Sequence, residues 1–272
     1  MIRETANVSV VIPCYNCSST IERAIESVKA QTLLPKEVIL VEDCSQDNTL
    51  AVLNRLKHQS PDGWIKVLSL SENIGAGGAR NAGWDIATQR YICFLDSDDA
   101  WHPLKIEIQY AWMTDNPKVA LTGHAYRQIR PSELPVFTKV ELHNNLSFSE
   151  VSPYNLLFSN RFSTPSVMIK ADLPFRFEEG KRYAEDYLLW LQVALSGYKC
   201  FRSELKLFFM FKSSYGEAGL SSHLWRMERG ELSAYRSLFR DGHISFFLFF
   251  MVGVTSFLKF VKRTVGNVFR GI

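Results

Sequence analysis

Four short apolar runs, separated by helical patterns, constrain the fold of this chain more than any other feature. The runs occupy residues 8–12, 37–41, 65–70 and 91–95. They are short and continuous, which is typical of parallel strands buried on both faces. After the first run, apolar residues recur at helical spacing from Ile21 to Val28. Strands that alternate with helices predict an α/β fold with a mostly parallel central sheet and right-handed crossovers.

Local signals predict where individual elements begin and end. Ser19–Glu22 has the form of a capping box, and Pro35 is expected to stop the helix that follows it. A glycine-rich turn, Asn73–Gly78, is expected to open into a helix that reaches about Gln89. The later elements predicted are a helix from Pro103 to about Asp115, strands at 119–122, 163–169 and 206–211, and a helix at 184–196 that Gly197 closes.

The composition is that of an ordinary globular protein, and it excludes several classes. Apolar residues make up 46% of the 272 residues and charged residues 22%. A net charge of +3, without a basic run interleaved with aromatics, argues against nucleic acid as a partner. The N-terminus enters a strand-like run at once, so no signal peptide is expected. The five cysteines are scattered, and the lone pair Cys14 and Cys17 is interpreted as small strand and turn residues, which suits a reducing cytosol.

Three carboxylates lie within four residues directly after the fourth apolar run. Asp96, Asp98 and Asp99 belong to the segment Phe94–Trp101. Like charges packed together raise one another's pKa unless a cation or a donor-rich ligand intervenes. Mg²⁺ or Mn²⁺ commonly bridges one or two carboxylates to a substrate's phosphates. These residues alone fit a metal–phosphate site and a polar turn or helix cap equally well.

The loops that follow the four predicted strands should meet at one edge of the sheet, where ligands bind in such folds. They comprise residues 13–16, 42–47, 73–80 and 96–99, all polar or glycine-rich. The first of them has no glycine, which excludes the G-x-G-x-x-G turn of dinucleotide dehydrogenases, and no P-loop lysine motif occurs. The glycine-rich, lysine-bearing loop of a sugar-nucleotide pyrophosphorylase is also missing after the first strand. A nucleotide site with carboxylates and a metal remains.

Five motifs in order resemble the family-2 inverting glycosyltransferases of the GT-A fold. They are VVIPCYN at 10–16, VEDCSQDNT at 41–49, NIGAGGARNAG at 73–83, FLDSDDAW at 94–101 and Glu-Asp at 185–186. The resemblance covers about residues 7–200. It implies transfer of a sugar from a UDP-sugar with inversion, assisted by Mn²⁺ or Mg²⁺. The Gln-x-x-Arg-Trp motif of processive synthases does not occur, which favours a single addition.

The resemblance also implies roles for individual residues on the donor side. Pro13, Tyr15 and Asn16 would line the base pocket, and the carboxylate of Asp43 would accept the imide N–H of uracil. Asp96 would bind the ribose hydroxyls or the donor sugar. The other substrate-binding positions are Asn73, Arg80, Ser97, Asp99 and Glu185. The charge of Arg80 would lie near the base and the phosphates, and Asp99 would support the metal ligand. Tyr15 as a packed aromatic and Arg80 as a surface charge are the alternatives.

Two further carboxylates carry the implied chemistry. Asp98 would hold the metal ion, which neutralises the leaving diphosphate. Asp186 would be the base that takes the proton of the acceptor hydroxyl, and burial near an apolar helix start would keep its pKa high enough to do so. The alternative for Glu185 and Asp186 is that they are first-turn acids favoured by the helix dipole.

The C-terminal part differs in character from the rest. Residues 242–258 carry no formal charge, and Lys259, Lys262, Arg263 and Arg270 follow. As a helix the apolar run would be about 25 Å long, marginal against a hydrocarbon core of about 30 Å. An apolar segment beside a basic one favours association with the anionic cytoplasmic leaflet over a core or oligomer-interface helix. Loop 213–226, with Arg226, is expected to close over the diphosphate.

The domain organisation expected is a GT-A catalytic domain at 1–212 and a loop with a C-terminal helical segment at 213–272. The nucleotide-binding half is placed at about 1–101 and the acceptor-binding half at 102–212. The function expected is transfer of one sugar to a hydroxyl of a lipid-linked saccharide in cell-surface polysaccharide biosynthesis. The protein is expected in the cytoplasm, peripherally on the inner face of the cell membrane. The alternative is a nucleotide-sugar-binding scaffold subunit without catalysis.

Overall fold

The computed structural model of the chain describes residues 4–130, 133, 147–211 and 224–270, with side chains as far as residue 264. Within them the strands are β1 Thr5–Cys14, β2 Leu34–Glu42, β3 Ile65–Ser69, β4 Tyr91–Phe94, β5 Ala100–Trp101, β6 Val119–Ile129, β7 Phe148–Glu150, β8 Met168–Lys170 and β9 Lys199–Phe211. The helices are α1 Ile21–Lys29, α2 Thr49–His58, α3 Gly75–Asp85, α4 Lys105–Asp115, α5 Pro153–Phe158, α6 Glu185–Leu195, α7 Leu224–Arg240 and α8 Phe246–Arg270.

The nine described strands form one sheet in the order β3-β2-β1-β4-β8-β6-β9-β5, with β7 beside β9. Strands β1 to β4 run parallel, and so do β6 and β9, which share the longest ladder. The short β8 lies antiparallel to β4 and β6 and joins these two parallel parts. The prediction of an α/β fold with a mostly parallel sheet is therefore confirmed.

Strand register brings the loops together. Cys14 at the end of β1 pairs with Glu42 at the end of β2, and Val11 pairs with Phe94 at the end of β4. The loops after these strands therefore leave the sheet at one edge. Helix α3 lies close against β1, because a Cβ on Gly83 would come within 2.4 Å of a Val11 methyl carbon. That approach fixes the height at which α3 presents its N-terminus to the same edge.

Some local predictions are wrong, for physical reasons that the structure makes clear. Helix α1 is capped at Thr20 without a side-chain hydrogen bond, because the Thr20 hydroxyl donates to Cys17 O instead. Pro35 does not stop that helix; it is a buried residue of β2. The glycines at 75, 77 and 78 lie inside α3 and not in a turn before it. The strand predicted at 163–169 is a 3₁₀ turn, Thr164–Ser166, followed by the short β8.

Helices α7 and α8 pack on the sheet domain. Ala234, Leu238 and Val252 are fully or almost fully buried in the same apolar cluster as Trp190 of α6. The outer face of α8 is apolar too, with Phe246, Phe247 and Leu258 exposed by 69%, 73% and 62%. No helix in the described part of the chain has the length and apolar character needed to span a membrane. Helix α8 thus buries one apolar face against the core and leaves another apolar face exposed.

Candidate functional site

A cavity of about 580 Å³ opens at the edge of the sheet where the loops meet. Its walls come from the ends of β1, β2 and β4, the N-terminus of α3 and the segment before α6. Ten of the site residues predicted from the sequence line this cavity, and an eleventh lies directly beside one of them in the chain. The predicted residues that line it are Pro13, Tyr15, Asn16, Asp43, Asn73, Arg80, Asp96, Ser97, Asp98 and Glu185. Asp186 directly follows the last of these in α6.

Asp43 anchors the N-terminus of α3 beside this cavity. Its Oδ1 accepts the backbone N–H of Ile74 at 2.8 Å, and its Oδ2 accepts that of Gly75 at 2.9 Å. Burial raises the pKa of Asp43, while these two donors favour its charged form. The next residues of α3, Ala76 and Gly77, line the cavity. A helix N-terminus that faces a cavity is a ready site for the phosphates of a nucleotide.

Three non-glycine residues around the cavity have a left-handed backbone. Asn16, Cys44 and Ala184 have φ of 47°, 58° and 57°. Asn16 is held by Ser45 Oγ, which accepts its N–H at 3.1 Å, and its Oδ1 accepts the N–H of Gln46 at 2.8 Å. Such conformations cost about 1–3 kcal/mol each and persist where surrounding contacts enforce them, often at functional sites. The loops after β1 and β2 are therefore locked to each other.

Arg80 is the central charge of the site. It is 5% exposed, so the alternative of a surface helix charge is wrong. Its Nη2 lies 2.7 Å from Asp96 Oδ1 and its Nη1 lies 3.2 Å from Glu185 Oε1. The ring of Phe177 lies 5.4 Å from the guanidinium carbon. Arg80 thus joins the end of β4 to the start of α6, and the planar guanidinium suits this double contact.

Asp98 and Asp99 differ sharply in environment although they are neighbours. Asp98 is exposed and lines the cavity, and its backbone carbonyl accepts a hydrogen bond from the Arg23 guanidinium. Asp99 is 4% exposed and does not line the cavity; its Oδ1 accepts the backbone N–H of Phe211 at 3.1 Å. Asp99 therefore fixes the carboxylate loop to the end of β9.

A second cavity, of about 420 Å³, shares Asp96 with the first. Asp186 lines it: its Oδ2 accepts the Thr164 hydroxyl at 3.0 Å, and its Oδ1 accepts its neighbour's N–H, that of Tyr187, at 2.7 Å. Burial raises the pKa of Asp186, and the Arg80 charge opposes the rise. Burial and the charge of Asp186 likewise raise the pKa of Glu185. Consecutive carboxylates of α6 thus face different cavities.

Several residues of both cavities carried no assignment in the sequence. Lys181 and Arg182 line the first cavity, and two residues separate this basic pair from the Glu-Asp pair; such proximity to the motif is a usable signal. His124, Arg161 and Arg202 line the second cavity. Burial holds the pKa of His124 well below its usual range, so it is neutral near pH 7. No local pattern marks these three; the pairing of β6 with β9 brings His124 and Arg202 together, and Arg161 comes from the segment between α5 and the 3₁₀ turn before β8.

The donor set fits a divalent cation that shares its coordination with phosphate. The described residues contain no group of three or more His, Cys, Asp or Glu side chains that could hold a metal ion by themselves. Mg²⁺ in nucleotide sites is usually bound by one or two carboxylates together with substrate phosphates. Asp98 and Asp96 supply two carboxylates at the wall of the first cavity. The predicted closing loop 213–226 lies largely outside the described residues; Arg226 itself is an exposed residue near the start of α7.

Comparison with known proteins agrees with this geometry. The family described as Glycosyl transferase family 2 matches residues 9–166. The succinoglycan biosynthesis protein ExoO of Rhizobium meliloti is 34% identical over 73% of the chain, and the match spans 59% of ExoO. The Bacillus subtilis protein TuaG, named putative teichuronic acid biosynthesis glycosyltransferase, is 27% identical over 95% of the chain and 96% of TuaG. The Escherichia coli enzyme WfgD, named UDP-Glc:alpha-D-GlcNAc-diphosphoundecaprenol beta-1,3-glucosyltransferase, is 33% identical over 68% of the chain and 69% of WfgD.

Solved structures share the fold at low sequence identity. TarS of S. aureus in complex with UDP-GlcNAc superposes with a TM-score of 0.66 and 22% identity, over 85% of the chain and 66% of TarS. A mannosyltransferase from Pyrobaculum calidifontis, solved with GDP-Man and Mn²⁺, gives a TM-score of 0.64 and 18% identity, over 92% of the chain and 69% of that protein. At these identities the likeness concerns the fold alone.

Proposed function

Since the chain belongs to glycosyltransferase family 2, we propose that it moves one sugar from a UDP-sugar to a hydroxyl of a lipid-linked saccharide acceptor in bacterial cell-surface polysaccharide biosynthesis. The observation that carries this proposal is the pair of cavities that meet at Asp96, with Asp186 in the second. A transferase needs two substrate sites that share a wall, whereas a binding subunit needs one. The first cavity is drawn mainly from residues before 101 and the second mainly from later ones, which supports the proposed halves.

The first cavity suits a nucleoside diphosphate sugar. Tyr15 is 45% exposed and offers a ring face for a base, so we favour it over a packed aromatic. The N-terminus of α3 and the side chains of Lys181 and Arg182 supply the positive field that a diphosphate requires. Asp43 keeps lone pairs on both oxygens after it accepts Ile74 and Gly75, so its proposed contact with uracil is compatible with its role as an anchor.

We assign the metal ion to Asp98, with Asp96 beside it. Bound there, Mn²⁺ or Mg²⁺ would neutralise the negative charge of the departing diphosphate. Asp98 is the more exposed of the two carboxylates, and Asp99 holds their loop in place through Phe211 N–H. The ion pair with Arg80 orients Asp96 toward the shared wall of the two cavities. The mannosyltransferase that shares the fold was solved with Mn²⁺, which supports a divalent cation here.

We propose inversion by a single in-line displacement, with Asp186 as the base. The acceptor hydroxyl would lie in the second cavity and give its proton to Asp186 as its oxygen attacks the anomeric carbon. The bond from that carbon to the diphosphate oxygen breaks at the same time, and UDP leaves into the first cavity. Thr164 and the N–H of Tyr187 fix both oxygens of Asp186, so the carboxylate has a defined direction. Its raised pKa makes it a stronger base than an ordinary aspartate. Glu185 stays paired with Arg80 and is not available for this step.

The acceptor side of the proposal extends to the membrane. We propose that the exposed apolar face of α8 lies on the cytoplasmic membrane face, where a lipid-linked acceptor is presented. An interfacial helix binds through its apolar side chains and through basic residues near the headgroups. Phe246 and Phe247 supply the first feature, and the exposed Arg229 and Arg236, which lie along the groove beside that face, supply the second.

The test is transfer by the purified protein. Wild-type, Asp186→Asn and the exposed control Asp62→Asn would be assayed with a panel of UDP- and GDP-sugars, Mn²⁺, and a saccharide-diphospholipid acceptor. We expect transfer with one UDP-sugar, a product with inverted anomeric configuration by NMR, and loss of about 10²–10⁴ in kcat for Asp186→Asn alone. Tight UDP-sugar binding by the wild type without transfer or hydrolysis would support the scaffold subunit instead.

A further inference from the structure

A third cavity, of about 410 Å³, lies beside the second one and has a basic lining. Asn160 lines both cavities. Tyr187 lines the third cavity, and Asp186, the residue directly before it, lines the second. The third cavity therefore adjoins the proposed acceptor site at Asn160, and one of its lining residues, Tyr187, directly follows the proposed base in the chain.

The charges around this cavity favour an anion. Lys259, Lys262 and Arg263 of α8 line it, and Glu231 is the one carboxylate that does so among the described residues. The Lys259 ammonium donates to Phe158 O, and Arg263 lies 3.6 Å from the buried Glu228 and 3.8 Å from Glu231, so those two cations are already engaged. Lys262 is exposed and takes no part in the core. Three cations that line one wall of a cavity concentrate positive potential there more than an evenly solvated basic face does.

An uncovered apolar surface continues from the basic cavity along the same helix. Leu258 is exposed by 62% and lies one helical turn before Lys262, so the two side chains share a face. Phe250 and Phe257 extend this surface toward the start of α8, with exposures of 60% and 50%. A groove of about 690 Å³ between α7 and α8 is lined by the same three apolar residues and by Arg229 and Arg236.

We propose that the third cavity binds the diphosphate of the lipid-linked acceptor, while the apolar face of α8 contacts its hydrocarbon chain. This inference rests on the proposed function and specifies where the acceptor's anionic group is recognised. The order of sites along the protein is Asp186, Asn160, the basic cavity and the apolar face. The order of groups in the acceptor is sugar hydroxyl, sugar ring, diphosphate and lipid, so the two orders match. Charge-assisted contacts from lysine and arginine suit phosphate oxygens.

The test compares two acceptors that carry the same sugar, one as a diphospholipid and one as an uncharged alkyl glycoside. Both are assayed in neutral detergent, without anionic lipid, with wild-type protein, Lys262→Glu and the exposed control Lys57→Glu of α2. The quantity measured is the ratio of kcat/KM for the two acceptors. We expect Lys262→Glu to lower this ratio about tenfold, through KM, and Lys57→Glu to leave it unchanged.

Other outcomes overturn the inference. An unchanged ratio in Lys262→Glu would remove the diphosphate site, and loss of binding to anionic vesicles beside that unchanged ratio would assign Lys262 to phospholipid headgroups. A wild-type protein that uses both acceptors equally well would overturn this inference alone. A wild-type protein that transfers to neither acceptor would overturn the proposed function with it. Equal thermal unfolding of the two variants excludes a folding defect as the cause of a lowered ratio.

Discussion

The hydroxyl of Thr164 donates to Oδ2 of Asp186 at 3.0 Å, and this bond joins the 3₁₀ turn before β8 to the first turn of α6. It favours the charged form of Asp186 and so acts against burial, which raises the pKa of that carboxyl. The bond therefore tunes the proposed base as well as orienting it.

Thr164→Val should raise the pKa of Asp186 further, because it removes a donor to the carboxylate and keeps the side-chain shape. A base loses activity as the pH falls through its pKa, so the acid limb of the kcat/KM profile should move to higher pH. The measurement is kcat/KM between pH 5 and 9. The control Thr32→Val removes an exposed hydroxyl that lines neither site cavity. An acid limb at the wild-type position would show that Asp186 is not the group titrating.

Asp186→Asn should stabilise the folded protein at neutral pH although it strongly lowers kcat for transfer. Because burial raises the pKa of Asp186 in the folded state, ionising it opposes folding above the unfolded pKa of about 3.9. That cost is absent at lower pH and is complete above the folded pKa. We expect a gain in Tm of about 2–4 °C at pH 7.5, which shrinks as the pH approaches 4. Thermal unfolding of wild type and variant at both pH values measures it; a gain that grows on acidification would contradict the assignment.

Asp98→Ala and Asp99→Ala should fail in different ways. Removal of the exposed Asp98 should weaken Mn²⁺-dependent donor binding and leave the unfolding temperature nearly unchanged. Removal of Asp99 leaves the N–H of Phe211 without its carboxylate partner, which costs about 1–3 kcal/mol in a buried setting. Calorimetric titration with UDP and Mn²⁺, beside thermal unfolding, separates the two. Similar losses of stability in both variants would rule out this division of roles.

Arg80→Lys should lower both activity and stability although it keeps the charge. One ammonium cannot replace the two guanidinium nitrogens that contact Asp96 and Glu185, and a buried carboxylate left unpaired is costly. We expect at least a tenfold loss of kcat/KM, about 1.4 kcal/mol in transition-state binding. Arg55→Lys, in an exposed pair with Glu22, is the matched control and should change little. Wild-type kinetics in Arg80→Lys would show that only charge matters there.

Phe247→Ser combined with Phe250→Ser should weaken attachment to lipid. Both rings are exposed on α8, and burial of an aromatic side chain contributes about 1.5–3 kcal/mol. Co-sedimentation with vesicles that contain anionic phospholipid should therefore fall at least tenfold. Leu50→Ser, an exposed apolar residue on α2, serves as the control. Unchanged sedimentation of the double variant would show that this face does not contact the bilayer.

Sequence patterns predicted those parts of the site that follow directly from strand order. Each buried run ends where its loop begins, so strand order alone predicts that Pro13, Asp43 and Asp98 lie at one edge of the sheet, and all three line the first cavity. The register of parallel strands then makes their convergence unavoidable. Asp186 was found only through its resemblance to the family motif, because nothing in its own helix distinguishes it from a first-turn acid.

Contacts between distant segments could not be predicted from the sequence. Thr164 bonds to Asp186 because β8, which follows it, lies between β4 and β6 in the sheet. Phe211 bonds to Asp99 because β9 lies between β6 and β5. The carboxylate of Asp43 is typical of a ligand-binding residue, but its hydrogen bonds to α3 depend on how closely that helix packs on the sheet. Gly83 allows this close packing because it has no side chain. The apolar run at 242–258 also has a buried face and an exposed face. The sequence does not tell them apart, and the structure does so through the packing of Val252 against α7 and the core.

Asp96 borders both cavities, and this shared wall has a thermodynamic consequence for the binding of two ligands. A ligand in the first cavity that draws Asp96 away from, or toward, Arg80 alters the wall that the second ligand meets. The free energy by which donor changes the affinity for acceptor must equal that by which acceptor changes the affinity for donor. Under the proposed function, one side chain would thus make each substrate an effector of the other, with the same coupling free energy in both directions.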